Sequence, residues 1–258
     1  MKKSLIVLLM VAIVGTGVFL VFNRQTTTEG DALTFIKQQG VTVLEQFDTP
    51  AGVTGYVGTF KDEPMSIYIL PDQRYAIVGD LINAEGKNLG AEAIYQLVTK
   101  PNNEKVWQRV ESASWVQDGD KNSPQVIYTF SDPFCPYCHK FRELAEPYIK
   151  SSQIQFRHVM VGILRDDSLA KAATILGSDS PEQALATHLA RYKSGGIETD
   201  NNAASKGSER VLENNHLMED LHFHATPTSL YKDEKGDVQI IEGLPMKHDM
   251  DSMFGQGE

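Results

Sequence analysis

The chain has 258 residues, 41% of them hydrophobic and 22% charged, enough for one large globular domain or two ordinary ones. Its formal net charge is −10, and the only charged residues of 1–24 are Lys2, Lys3 and Arg24, so the remainder is more acidic still. Such a body is repelled by phosphate backbones and by anionic lipid, which excludes nucleic acid as a partner.

Lys2 and Lys3 precede an uncharged run over residues 4–22, with polar sequence from Asn23 onward. As a helix that run spans about 28 Å, close to the hydrocarbon thickness of a bilayer. It reads as an export signal or a retained anchor with its N-terminus inside. A small-x-small site, Gly15-Thr16-Gly17, lies within the apolar stretch and does not separate the two. Either way the body reaches an oxidising compartment.

A polar linker follows over 24–31, then a short helix over 32–39 closed by Gly40. Residues 41–47, 55–60, 66–70 and 75–78 form short alternating or apolar runs. They are separated by Asp48-Thr49-Pro50, by 61–64 and by Pro71-Asp72. This reads as a small antiparallel sheet with one helix, too short to cover both of its own faces, so that one face is left for a second copy. Residues 91–98 and, after Pro101, 104–115 read as helix, with Trp107, Val110 and Ser114 on one face. A helical connector then leads to a boundary near 118–124.

The second domain opens with a β-rich run over 125–130, ending at Ser131-Asp132-Pro133. Cys135 starts a helical stretch to Ile149, and 154–163 is a second apolar strand. Residues 167–223 are mostly helical, interrupted at 177–181 and by a loop over 194–205. Strands over 226–231 and 238–241 are joined by a turn at 233–236. Met246, Met250 and Met253 recur at helical spacing and read as core packing of a last short helix.

The two cysteines, Cys135 and Cys138, lie three residues apart. A bridge across so short a loop stabilises a fold by about 2 kcal/mol or less, which is little for a chain of this size. The pair therefore points to chemistry. A strand running into Cys-x-x-Cys and then a helix puts Cys135 at the helix N-terminus, where free N–H groups and the dipole favour a thiolate. Pro136 suits the first helical position because its missing N–H costs nothing there. Cys138 falls one turn in, so Cys135 is the attacking sulfur and Cys138 the resolving one. His139 lies four residues after Cys135. It reads either as a charged imidazole favouring the thiolate or as a solvated surface histidine. Cys-x-x-Cys-His is also the haem-attachment signal, but the incoming strand and the proline at the second position argue against that use. Thr226-Pro227 opens a later strand. Alone this is ordinary turn chemistry, but paired with the upstream Cys-x-x-Cys helix it resembles the cis-proline loop of thioredoxin-like folds, in which the residue before the proline offers its backbone to an extended peptide.

The segment Ser131-Asp132-Pro133-Phe134-Cys135-Pro136-Tyr137-Cys138 resembles the active-site segment of the periplasmic DsbC/DsbG disulfide isomerases, the DsbG branch in particular. The likeness extends to Gly55-Tyr56, Ile67-Tyr68, Trp107-Gln108-Arg109, Val161-Gly162, Leu217-Met218 and Gly243-Leu244-Pro245. It implies an α+β chain with a small cystatin-like dimerisation domain over 25–88, a linker helix over 89–118, and a thioredoxin-like domain with a helical insertion over 119–258. The implied assembly is a V-shaped homodimer. Cys135 and Cys138 would form the redox-active disulfide, with Thr226, Pro227, Pro136, Tyr137 and His139 binding substrate or tuning the sulfur. The implied partners are exported proteins bearing disulfides or oxidised cysteines, and a DsbD-like membrane thiol reductase that keeps the pair reduced. No cofactor and no metal are implied. Isomerase, reductase, sulfenic-acid reductase and chaperone roles are all compatible with the resemblance. His139 follows the DsbC branch, whereas the absence of a further cysteine pair follows the DsbG branch. A monomeric DsbA-like oxidase is the competing reading; it gives no use to the small N-terminal sheet.

Overall fold

Asp31 caps the first helix, α1 (Ala32–Gln38), by accepting a hydrogen bond from the Thr34 N–H at 2.6 Å. Gly40, at φ +93°, supplies the left-handed turn that ends it. The computed structural model describes residues 31–61 and 63–255, so the leader read over 1–24 lies outside the described residues. A four-stranded antiparallel meander follows: β1 (Thr42–Asp48), β2 (Thr54–Phe60), β3 (Glu63–Ile69) and β4 (Ala76–Val78). β3 takes in Pro64, where a turn was expected over 61–64. β4 pairs only with Ile67, Tyr68 and Ile69, so the Pro64 end of β3 needs no ladder on that side.

The helix α1 lays Ile36 against Ile67 and Ile69 on one face of this sheet. On the other, Phe47, Gly55 and Tyr68 line up across three strands. The Phe47 ring covers Gly55, where any Cβ would collide with it, and meets Tyr68 edge-on at 5.9 Å. The Gly90 backbone presses on Ser66 and Tyr68 of that face, leaving no room for a side chain.

The connector is one continuous helical run rather than two helices. It comprises α2 (Ala91–Ile94), a π turn (Tyr95–Thr99) and α3 (Lys100–Glu111). Pro101, the expected break, sits in the first turn of α3, where its missing N–H is tolerated after the wider turn upstream. The run ends at Glu111, short of the expected limit at 118, and Trp115–Asp118 is instead strand β5. Pairing with a neighbouring strand decides the outcome there against helical periodicity. Ser114, expected on the Trp107–Val110 face, lies beyond the helix. It is held by Asn214, which accepts from its N–H at 3.3 Å and donates to its carbonyl at 2.8 Å.

The second sheet has the order β5-β7-β6-β8-β9, with β6 (Gln125–Ser131), β7 (Ile154–Met160), β8 (Thr228–Lys232) and β9 (Val238–Glu242). β6 and β7 are parallel, joined through α4 (Pro136–Lys150); the other pairs are antiparallel. One face packs on α4 and α8 (Lys247–Met253) through Phe141, Ala145, Phe156 and Met253. The other packs on α3 and on the later helix that carries Met218, through Trp107, Val110, Tyr128, Phe130 and Met218. Met253 is buried and Met250 partly so, but Met246 precedes α8 and is exposed, so the methionine stripe is core at only two of its three positions.

The insertion between β7 and β8 holds α5 (Ser168–Gly177), α6 (Pro181–Ala190), a 3-10 turn (Tyr192–Ser194) and α7 (Asn201–Asp220). Asp200 caps α7 on the N–H groups of Asn202 and Ala203, so the helix begins inside the loop expected over 194–205. Where α5 crosses α7, Gly177 abuts the Ala203 carbonyl and Gly207 the Ala173 carbonyl. Backbone meets backbone there, and a side chain at either glycine would overlap it.

Candidate active site

Strand β6 ends at Ser131, and the chain must turn sharply before α4. Asp132 makes that turn. Its buried carboxylate accepts from the N–H groups of Phe134 (2.8 Å), Ile163 (2.8 Å) and Leu164 (3.0 Å), and from the Ser168 hydroxyl (2.9 Å). Its carbonyl accepts from the Cys135 N–H at 3.0 Å. One carboxylate therefore ties the active-site loop to the loop after β7 and to α5, and four donors to an ionised group make it a strong tie. The Phe134 ring is roofed by Arg165 and Lys171, at 4.2 and 5.0 Å from its centroid.

Cys135 is the N-cap of α4 and Pro136 its first residue. The pair is disulfide-bonded, with Cα atoms 5.2 Å apart. The Cys138 N–H donates to Cys135 Sγ at 3.0 Å, the interaction a thiolate at a helix N-terminus needs. The Thr226 carbonyl oxygen lies 3.2 Å from the same sulfur, and the Thr226–Pro227 peptide bond is cis. Residues 91 positions apart thus meet at one atom. The Pro227 carbonyl accepts from the Gly243 N–H at 2.7 Å, fixing this loop to the segment after β9. Tyr137 projects outward with 61% of its surface exposed, while Cys135 exposes 2%.

His139 fits neither of its expected roles. Its side chain is only 16% exposed, stacked on Tyr192 at 4.0 Å, with Nε2 3.4 Å from Glu143. Burial outweighs the Glu143 charge and pushes its pKa below the ordinary histidine value. The neutral imidazole is favoured, which works against thiolate stabilisation by an adjacent positive charge. Its Nδ1 is buried without a partner among the described residues.

Behind the disulfide the structure gathers residues that the sequence did not single out as functional. His188 on α6 donates from Nε2 to the Pro133 carbonyl at 3.0 Å and accepts at Nδ1 from the Ile197 N–H at 3.3 Å. Burial pushes its pKa down to about 4. Tyr192 donates to the Phe134 carbonyl at 3.3 Å. At the end of edge strand β5, Asp118 faces His158 Nε2 at 3.3 Å and forms a two-pronged ion pair with Arg142, whose Nη2 lies 3.2 Å from Oδ1. Burial alone would raise the Asp118 pKa, but the hydrogen bonds and charges of His158 and Arg142 bring it to about 2. His158 Nδ1 lies 3.4 Å from Ser131 Oγ. Among the described residues no group of three or more His, Cys, Asp or Glu side chains is arranged to hold a metal ion. Of these residues only His158 carries a sequence signal, a histidine inside the apolar strand β7.

Residues 116–258 match the family model of a thioredoxin-like domain. The chain is 34% identical over 220 residues to the thiol:disulfide interchange protein DsbG of Pseudomonas aeruginosa, covering 85% of this chain and 86% of that protein. It is equally similar to the DsbG of Escherichia coli, at 34% identity with 85% and 89% covered. Among solved structures, the thiol-disulfide exchange protein α-DsbA2 of Wolbachia pipientis superposes with a TM-score of 0.50 at 17% identity. That match spans 62% of this chain and 95% of that one, a likeness of fold alone.

Proposed function

The chain belongs to the DsbG family of thiol:disulfide interchange proteins, and from that premise we propose that it reduces or rearranges disulfides of exported proteins in the periplasm. It is a thiol–disulfide oxidoreductase built on a thioredoxin-like domain. One observation carries the proposed mechanism: Cys135 Sγ sits at a helix N-terminus, receives the Cys138 N–H, and lies against the Thr226 carbonyl beside Pro227.

In the reduced protein the Cys135 thiolate attacks a substrate disulfide, and the departing substrate sulfur takes the electron pair. The backbone at Thr226 pairs with the substrate chain and lines its sulfur up with Cys135, while Tyr137 offers an exposed aromatic contact. Release then follows one of two routes. Another substrate thiol attacks and leaves a rearranged disulfide, or Cys138 attacks and leaves a reduced substrate. Repeated reduction calls for a thiol donor, and we assign that role to a DsbD-like membrane reductase. A cysteine sulfenic acid is a substrate of the same chemistry, with water as the product.

The N-terminal sheet is proposed as the dimer contact. Tyr75, Ile77, Val78 and Ile82 are all exposed at and just beyond the short edge strand β4. An apolar sheet edge of this kind is normally covered in a soluble assembly.

The test is the reduced fraction of Cys135 and Cys138 across glutathione buffers, with thiols trapped by alkylation. A potential above about −200 mV describes an exchange catalyst; one below about −300 mV describes a structural bridge and ends this reading. The solution mass, set against 28.7 kDa for one chain, tests the dimer separately.

A further inference from the structure

Cys138 is the sulfur that must lose a proton one turn inside α4, away from the free N–H groups at its start. It is 9% exposed, and the positive end of α4 that favours the Cys135 thiolate does less for a residue one turn further in. Behind it lies a cavity of about 20 Å³, lined among others by Cys138, Ser131, His139, His158 and His188. That volume admits one water molecule. The His139 Nδ1, buried without a partner among the described residues, and the Ser131 hydroxyl give such a water polar neighbours besides the thiol.

The geometry points to Asp118, His158 and Ser131 as a proton relay that accepts the Cys138 thiol proton during the resolving step. An ionised carboxylate only accepts, so His158 donates from Nε2 to Asp118 at 3.3 Å. That fixes the tautomer and leaves Nδ1 as the basic nitrogen, facing Ser131 Oγ at 3.4 Å and the cavity beyond. At its outer end, Asp118 and Arg142 line an open groove of about 530 Å³ between α4 and α6. The chain therefore runs from the buried thiol to solvent.

Other titratable groups surround the path. Arg142 faces it from α4, and Glu143, Glu146, Arg191 and Lys193 line the outer groove. Around the cavity, Asp132 already accepts from four donors and His188 uses both ring nitrogens, so neither is free to take the proton. Tyr192 donates to the Phe134 carbonyl. His139 is stacked on Tyr192, with burial disfavouring its charged form. His139 also has a carboxylate, Glu143, 3.4 Å from its Nε2, but only His158 has a hydroxyl, Ser131, set between its other nitrogen and the cavity.

In the step itself, the proton passes from Cys138 Sγ by the water and the Ser131 hydroxyl to His158 Nδ1. Cys138 Sγ bonds to Cys135 Sγ, and the bond from Cys135 to the substrate sulfur breaks, its electron pair leaving with the substrate. The imidazolium is held by Asp118 and returns its proton through the groove. His158 acts through Ser131 and is a positioning residue in this scheme, which rests on Cys135 being the attacking sulfur.

The test separates the two sulfurs. The reduced protein is mixed with 5,5′-dithiobis(2-nitrobenzoate): attack by Cys135 releases the first coloured thiolate, and resolution by Cys138 the second. In His158→Gln the first release should hold within about twofold. The second should slow about tenfold or more near pH 7 and recover as the pH rises towards that of an unassisted thiol. Ser131→Ala, which deletes one oxygen, should affect the same phase and keeps the test available if His158→Gln folds poorly. A second release unchanged in both variants, or slowed by one factor at every pH, overturns the relay. So does a pH profile that moves in His139→Asn but not in His158→Gln. Absence of the first release from the parent protein instead removes the assignment of Cys135 as attacking sulfur, and the relay with it.

Discussion

Replacing Asp118 with Asn keeps the shape of the side chain and removes its charge. The folded protein holds this carboxyl at about 2 against an ordinary 3.8, because His158 and Arg142 together overcome the cost of burial. The folded pKa is the lower one, so the unfolded chain takes up the proton first as the medium is acidified. The stabilisation is complete above the unfolded value and is lost as the pH falls through about 2. A depression of this size is worth about 2 kcal/mol. Asp118→Asn should therefore cost about 2 kcal/mol at pH 7, and the gap to the parent should close as the pH drops from about 5 to about 2. The assay is urea unfolding of the oxidised protein at a series of pH values, followed by tryptophan fluorescence. Trp107 and Trp115 are the only tryptophans, and both meet Tyr128 edge-on in the second domain. A gap of equal size at pH 7 and pH 3 would refute the reasoning, since it would locate the contribution in packing instead of charge.

Asp132→Ala strips four donors of their acceptor and should destabilise the second domain by about 3 kcal/mol, measured in the same assay. Gly207→Ala drives a methyl group into the Ala173 carbonyl and should cost about 3 kcal/mol, whereas an exposed α7 site such as Glu213→Ala should stay within about 0.5 kcal/mol. His188 has its pKa lowered from 6.5 to about 4, so the unfolded state protonates first and stability declines as the pH falls through that window. The loss amounts to about 3 kcal/mol. His188→Gln can keep both hydrogen bonds without titrating, and its stability over the same range should be flatter; a parallel decline in the two proteins would clear His188 of the effect.

How much of this was legible in the sequence depends on the range of the interaction. The Cys135–Cys138 motif and its helix were readable because strand, cysteine, proline and helix follow one another within a few residues. Thr226–Pro227 was readable only as the second half of a pattern whose first half was already in hand. The helix expected over 89–118 ends earlier because Trp115–Asp118 has no strong period of its own; its state is set by pairing with β7. Pro101 does not break the helix, because the π turn upstream, which periodicity does not reveal, accommodates it. His139 looked exposed because Tyr192, the ring that covers it, lies more than fifty residues away in the insertion. For the same reason Asp118, Arg142 and His158 gave no sign of being one cluster: they come from β5, α4 and β7, and only the folded sheet brings them together.

The recess of Cys135 has a bearing on what this chain will leave alone. A cysteine with 2% of its surface open, its sulfur flanked by the Thr226 backbone, admits only a narrow approach. The disulfide it meets must stand proud of its own protein, on a strand loose enough to be drawn out straight. A native bridge locked in a folded core cannot assume that posture without first unfolding around it. Discrimination between finished and unfinished molecules then needs no recognition of sequence. It follows from compliance, and a client withdraws from reach by becoming stiff.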